Sequence, residues 1–318
     1  MSTRLRLRRR CVIVSGSARS GTSWIAKTLS YAPGFTYYRE PDNFYAVPGA
    51  EERFAWAYFT PDQDDAAYHD LMSRACRGEV ATAFTMSDAP GPLVPLLGLR
   101  GIPLAERYPV LFFRKRHVLL KLVYANLNLA WLSARFPQTQ QVCVIRHPCG
   151  QFESWRRLGW EPRPARLLEN ERLMAEHLHP FEGLLGGAEG FWERAGAYWG
   201  AHAYVTHRHT RDTVGPLLLL YEWLCGDPVA RYRELYRRLR LTWSPKAERF
   251  LRLSDRESDG DPYSLTRPTR LQADGWKLRL SREDIESCRR FAEPFGLPYY
   301  PGFDTEAATG APPGLSDS

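Results

Sequence analysis

A three-layer α/β domain, with a parallel sheet between two layers of helices, is the fold class the sequence predicts. Three observations predict it. Short, continuously apolar runs recur at residues 11–15, 118–122, 141–146 and 216–221, with segments of helical character between them. Runs that are apolar throughout, rather than alternating, belong to strands buried on both faces, which is the condition of a parallel sheet. The first run leads directly into a glycine-bearing turn and then a helix, the strand–turn–helix order of an α/β unit.

In chain order, the first strand is predicted at 11–15 and the first helix at 22–31, stopping before Pro33. Residues 34–110 are rich in aromatics, Pro and Asp with weak periodicity, and are predicted to form short helices and loops. A second strand at 118–122 and a helix at 127–136 precede the clearest strand, 141–146, which Pro148 stops. A helix follows at 150–158. Residues 160–200 read as helical but loosely patterned, with Gly-rich breaks at 183–190. The strand at 216–221 ends at Gly226-Asp227-Pro228, and helices fill most of 228–253 and 281–295. Residues 1–304 are predicted to form one domain. Residues 305–318, small, polar and Pro/Gly-rich, read as a disordered tail.

Composition narrows the function classes. The 318 residues are 44% hydrophobic and 25% charged, which excludes a chain disordered in bulk. The net charge of +7 suits anionic ligands. Only five of the 43 basic residues are lysine, so each lysine stands out. The arginine run at 4–10 is followed by too short an apolar stretch for a signal peptide, and reads as a solvated arm. No stretch approaches the ~18 apolar residues of a membrane span. Six cysteines without a CxxC spacing read as reduced thiols in a reducing, cytoplasmic compartment.

Ligands of parallel sheets bind at the carboxyl ends of the strands. Three motifs fall there: after Val14, after Ile145 and after Leu220. Gly16-x4-Gly21 has the glycine spacing of a phosphate-binding P-loop, in which backbone N–H groups and a helix N-terminus face the anion. A P-loop ATPase or kinase requires Lys and then Ser/Thr after the second glycine. Here Thr22 and Ser23 follow, and Arg19 inside the loop is the available cation. An ATP-dependent kinase or nucleotide-binding protein is therefore the weaker alternative, as is a nucleic-acid-binding protein drawing on the basic arm.

Arg19-Ser20-Gly21-Thr22-Ser23-Trp24 after an apolar strand resembles the sulfotransferase family, which uses 3′-phosphoadenosine 5′-phosphosulfate, PAPS, and releases PAP. The resemblance implies a P-loop-like fold, no metal requirement, and binding of the 5′ end by Arg19, Ser20, Gly21, Thr22 and Ser23. It places Trp24 near the adenine, a plain core position being the alternative. Arg146 ends the clearest strand and Ser154 lies eight positions on; the family holds its 3′-phosphate with an Arg and a Ser at that spacing. Val144-Ile145-Arg146-His147-Pro148 and Ser154-Trp155-Arg156-Arg157-Leu158-Gly159-Trp160 are similar to bacterial members.

Glu40 lies 21 positions after Arg19, the offset at which the tyrosylprotein-sulfotransferase-like branch places its catalytic Glu. Lys121 lies 25 positions before Arg146, the separation of that branch's transition-state lysine. With Arg19, these are the implied catalytic residues. The chain departs from relatives that read Lys-Asp-Pro, since Leu122-Val123 follows Lys121. His117 is a weaker alternative base. Tyr221 resembles a family Tyr that approaches the nucleotide. Arg267 and Arg270, before Trp276-Lys277, resemble the segment that closes over the 3′-phosphate. The implied acceptor is a hydroxyl of a small molecule, glycan or lipid, bound by insertions at 44–110 and 160–210, in a soluble bacterial enzyme modifying glycans or natural products.

Overall fold

The computed structural model describes residues 9–47, 50–80, 82, 117–255, 265 and 268–309. Five strands form one sheet: β1 (Cys11–Ser15), β2 (Phe35–Arg39), β3 (His117–Leu122), β4 (Thr139–Ile145) and β5 (Leu217–Leu220). Their order is β2-β3-β1-β4-β5, and every neighbouring pair is parallel. The chain goes from β1 to β2 and β3 on one side, then to β4 and β5 on the other. The order therefore reverses at β1, where a crevice opens beyond the carboxyl ends. Register brings Val14 opposite Lys121, and Lys121 opposite Arg39.

Alternation along β1 shows how the layers are built. Val12 and Val14 belong to the core shared with Trp24, Ile25 and Leu29 of α1 (Thr22–Ser30). Cys11 and Ile13 face the opposite core, with Tyr68, Leu71 and Met72 of α2 (Ala66–Cys76) and Trp131 and Leu132 of α3 (Leu129–Arg135). A strand buried on both sides has no place for a polar face, which is why its sequence is apolar throughout.

Helices α4 (Pro148–Arg157) and α5 (Phe191–Asp212) lie beyond β4. The chain then runs through α6 (Tyr221–Gly226), α7 (Pro228–Arg238), α8 (Pro245–Ser254), α9 (Thr269–Asp274) and α10 (Arg282–Ala292). Gly196 and Gly200 of α5 let α10 and the turn after it approach closely. A Cβ would fall 2.2 Å from the Cys288 carbonyl oxygen at the first and 2.1 Å from the Phe295 ring at the second.

Three expectations are corrected. Residues 35–39, expected as loop or short helix, form edge strand β2. The last strand stops at Leu220, because Tyr221 already opens α6. Residues 305–309, expected in the tail, are ordered against α9: the Thr305 hydroxyl bonds Asp274, and Ala308 is buried. The remaining tail calls, the insertion residues 48, 49, 81 and 83–110, and Arg267 lie outside the described residues, as does the side chain of Arg270.

Candidate active site

The loop after β1 is shaped by two glycines and one strained arginine. Gly21 has φ +93° and begins α1 with no side-chain cap. A Cβ there would sit 2.2 Å from the Tyr221 ring, so only glycine fits this approach. At Gly16 a Cβ would meet the Val144 carbonyl oxygen at 2.7 Å. Arg19 adopts a left-handed backbone at φ +69°, rare outside glycine and costing about 1–3 kcal/mol unless its surroundings enforce it. They do. The Ala18 carbonyl accepts from Gln151 Nε2 (3.1 Å) and Trp155 Nε1 (2.9 Å), and the Arg19 carbonyl from Arg146 Nη1 (3.0 Å). Side chains of α4 and the end of β4 thus hold the loop's carbonyls outward. The Ser20 hydroxyl is buried without a protein partner.

Arg146 follows the last residue of β4 and is the hub of this half of the site. Its Nη2 donates to the Gln272 carbonyl at 2.7 Å, and its guanidinium lies 4.7 Å from the Tyr221 ring centre. Its Nε is buried without a partner. Arg19 Nε donates to Ser154 Oγ at 2.9 Å, so the loop cation and the α4 hydroxyl are already in contact. The Arg146-His147 turn is fixed from behind. Trp199 Nε1 donates to the Arg146 carbonyl (2.8 Å), and Glu222 accepts from the His147 N–H (3.0 Å). Burial lowers the His147 imidazole to about 3, and the ring stacks on Trp276 at 4.4 Å. His147 is therefore a neutral structural group.

On the other side of β1, Glu40 and a buried Lys121 form an ion pair through Oε1 and Nζ, with Glu40 partly exposed. Both lie at the carboxyl edge: Glu40 follows β2, and its N–H donates to the Lys121 carbonyl at 2.7 Å. Glu40 is the second left-handed non-glycine of the site, at φ +54°. Asn43 Nδ2 donates to its other oxygen at 2.7 Å. Burial alone would raise the Glu40 carboxyl, but Lys121 and Asn43 outweigh it and hold it below its ordinary value. Burial lowers Lys121, against the pull of Glu40. Asn126 Nδ2 links the exit of β3 to the loop by donating to Ser17 Oγ at 3.3 Å.

The structure thus brings Arg19, Ser20, Gly21, Arg146, Ser154 and Tyr221 together around the loop, with Lys121 on the adjoining strand β3 and Glu40 just past β2, the strand beyond it. It places Trp24 in the core, 7% exposed, with its indole N–H on Ser254 and its ring edge-on to Tyr221 and Tyr232. Thr22 is buried in the first turn of α1, and Ser23 is partly exposed there. His117 opens β3, about 13 Å from Lys121 along the strand, and accepts from the Arg10 N–H. Sequence reasoning gave no role to Asp42, Asn43, Asn126 or Gln151. Asp42 is 1% exposed, and its position between Pro41 and Asn43 beside Glu40 was the available signal.

No family model matches the chain, and no curated protein matches it. Among solved structures it is similar to a mouse sulfotransferase complexed with PAP, at 12% identity over 95% of this chain and 90% of that one, TM-score 0.47. It is similar to the sulfotransferase domain from the curacin biosynthetic pathway, at 15% identity over 92% and 98%, TM-score 0.40. A sulfotransferase from Alicyclobacillus acidocaldarius is similar at 16% identity over 90% and 97%, TM-score 0.38.

Proposed function

We propose that the chain transfers a sulfonyl group from PAPS to an acceptor hydroxyl. The observation that carries the reading is the largely buried Glu40–Lys121 pair, with Lys121 on the strand beside a phosphate-type loop whose cation is Arg19. A buried ion pair is a poor stabilising device, since desolvation offsets most of its attraction. Its place at the carboxyl edge beside an anion loop argues for chemistry. The loop fits a nucleotide of this kind: the Ser20 hydroxyl and Arg146 Nε are buried and unpartnered, and α1 begins without a side-chain cap. Arg19, Ser20, Gly21, Thr22 and Ser23 would hold the 5′ end. Arg146 and Ser154, with Arg267 or Arg270, would hold the 3′-phosphate. Tyr221 would support the nucleotide from beneath.

When bound, PAPS supplies the sulfonyl group and leaves as PAP. Glu40 would take the acceptor's proton. At rest its charge is spent on Lys121. Once it is protonated, the Lys121 ammonium has lost its nearest counter-charge and is available to the oxygen on which negative charge builds. Base and electrostatic partner are thereby coupled through one contact. Arg19 would steady the transferring group from the loop.

The acceptor side is open to a small molecule, glycan or lipid. Phe44, Tyr45 and Tyr124 line up beside Glu40, with Phe44 and Tyr124 stacked at 6.1 Å and Tyr45 81% exposed. This supports acceptor binding by the 44–110 segment. In the 160–210 segment, α5 buries its face against the sheet and braces Arg146 through Trp199, which leaves residues 160–190 for acceptor contact. Six free, buried thiols support a reducing, cytoplasmic setting, and no described helix is long and apolar enough to cross a membrane. Radiosulfur-labelled PAPS offered with a panel of hydroxyl acceptors tests the reading. Label should pass to an acceptor with wild-type protein and not with Glu40→Gln. Equal transfer by both would remove Glu40 from the mechanism.

A further inference from the structure

We propose that Asp42 is a positioning residue for the Glu40–Lys121 pair: it clamps the exit of β3 to the turn that carries Glu40, and its charge keeps Lys121 an ammonium while Glu40 holds the acceptor's proton. The role rests on the sulfonyl-transfer reading above. One oxygen of Asp42, Oδ2, accepts three backbone N–H groups: Val123 (2.9 Å), Tyr124 (2.7 Å) and Ala125 (3.2 Å). These residues follow Lys121-Leu122 directly. The chain reads Lys121-Leu122-Val123, so this exit has no carboxylate of its own, and the one that fixes it comes from the turn after the neighbouring strand.

Glu40 needs such a clamp. Its left-handed backbone is a strained state, held by its own N–H on the Lys121 carbonyl and by its carbonyl accepting from Asn43 (3.0 Å). Both bonds stay in register only while β3's exit and the 40–43 turn move as one body. The Asp42 bonds join them. A neutral Asn or Ser would accept the same N–H groups without burying a charge, so holding the turn does not by itself call for a carboxylate. Lys121 does. It is 4% exposed, and without a counter-charge burial would drive it to the neutral amine. When Glu40 is protonated, Asp42 is the carboxylate left acting on it; Asp42 and Glu40 both favour the charged lysine, against burial and Arg39. The other titratable groups facing Asp42 are Tyr124, beyond β3, and Tyr68 of α2.

Asp42→Asn is isosteric, keeps an acceptor for the three N–H groups and tests the charge, while Asp42→Ala removes charge and clamp together. Misplacement of a reacting group by about 1 Å costs on the order of 100-fold in rate. The expected result is a kcat lowered roughly 10- to 100-fold in Asp42→Ala, an alkaline limb of the kcat profile moved to lower pH in both variants, and PAP affinity unchanged. A purely structural Asp42 would lower thermal stability and leave the alkaline limb in place, and that outcome overturns the proposal. Amide hydrogen exchange at residues 123–125 is measured in parallel, without donor or acceptor. Wild type should protect these amides and Asp42→Ala should lose the protection; protection that survives in Asp42→Ala also overturns the proposal. Should wild type transfer no sulfonyl group to any acceptor, the functional reading falls by itself, while exchange at 123–125 still decides whether Asp42 clamps the two segments.

Discussion

Gly21→Ala is expected to damage stability and nucleotide binding together, and Gly159→Ala provides its control. Both glycines have positive φ, +93° and +68°. An alanine forced into the left-handed region costs about 1–2 kcal/mol. At Gly159, just beyond α4, a Cβ would meet nothing within 4 Å, so that backbone cost is the whole effect. At Gly21 the Cβ would lie 2.2 Å from Tyr221 Cδ2 and 2.3 Å from Cε2, far inside contact distance. Tyr221 is 4% exposed and carries the Arg146 guanidinium on its face, so it has no free direction to move. Overpacking of this kind adds about 1–3 kcal/mol. The total is about 2–5 kcal/mol for Gly21→Ala against about 1–2 for Gly159→Ala. Chemical denaturation reads the stabilities, and calorimetry with PAP reads the binding. PAP affinity should fall at least about tenfold in Gly21→Ala, since displacing Tyr221 unseats Arg146, and hold in Gly159→Ala. Equal stability loss in the two variants, with PAP bound normally by both, would refute the claim that Tyr221 packs the loop against Arg146.

Three further outcomes are expected. Glu40→Gln should lower kcat by about 10²–10⁴-fold with PAP affinity within a factor of two or so, read by single-turnover transfer and calorimetry. Arg146→Lys keeps the charge but loses the fork that reaches both the Arg19 and Gln272 carbonyls; its preference for PAP over adenosine 5′-phosphate should shrink by about tenfold, read by competition binding. For pH, burial pushes Asp42 up to about 7, beyond what the Tyr124 and Val123 N–H groups pull it down. A carboxyl raised on folding favours the native state below its unfolded value near 3.8 and loses that contribution as pH rises through about 7. Melting temperatures of wild type and Asp42→Asn, compared from pH 4 to 8, should therefore shift in the variant's favour as pH rises; a shift the other way would show the carboxylate to be net stabilising.

What the sequence revealed follows from how local each feature is. The loop's glycines, Arg19 and the strand before them are contiguous, so their chemistry is visible in one short stretch. Arg146 and Ser154 sit on one strand–helix unit and are legible for the same reason. β2 was not, because an edge strand buried only at Phe35 and Tyr38 mixes Thr, Tyr and Arg with its apolar residues and lacks the run that marks a central strand. The ordered residues 305–309 are small and polar, and only their contacts with α9, some thirty positions away, keep them in place. Asp42 was visible as a residue but not as a part of the site. Its meaning lies in three backbone amides 81 to 83 positions downstream, a contact that no local pattern encodes. Trp24 shows the reverse: a motif position suggested a ligand contact, while helix periodicity alone would have put it in the core with Ile25 and Leu29.

The central claim is that this site moves a sulfonyl group. The most direct measurement offers the protein radiosulfur-labelled PAPS and γ-labelled ATP with magnesium in one reaction, with a mixed pool of hydroxyl compounds as acceptor. Radiosulfur should pass to an acceptor, no phosphoryl label should, and Glu40→Gln should slow the transfer by about 10²–10⁴-fold. Phosphoryl label in the product, or an enzyme that ignores PAPS and does not bind PAP, would contradict it.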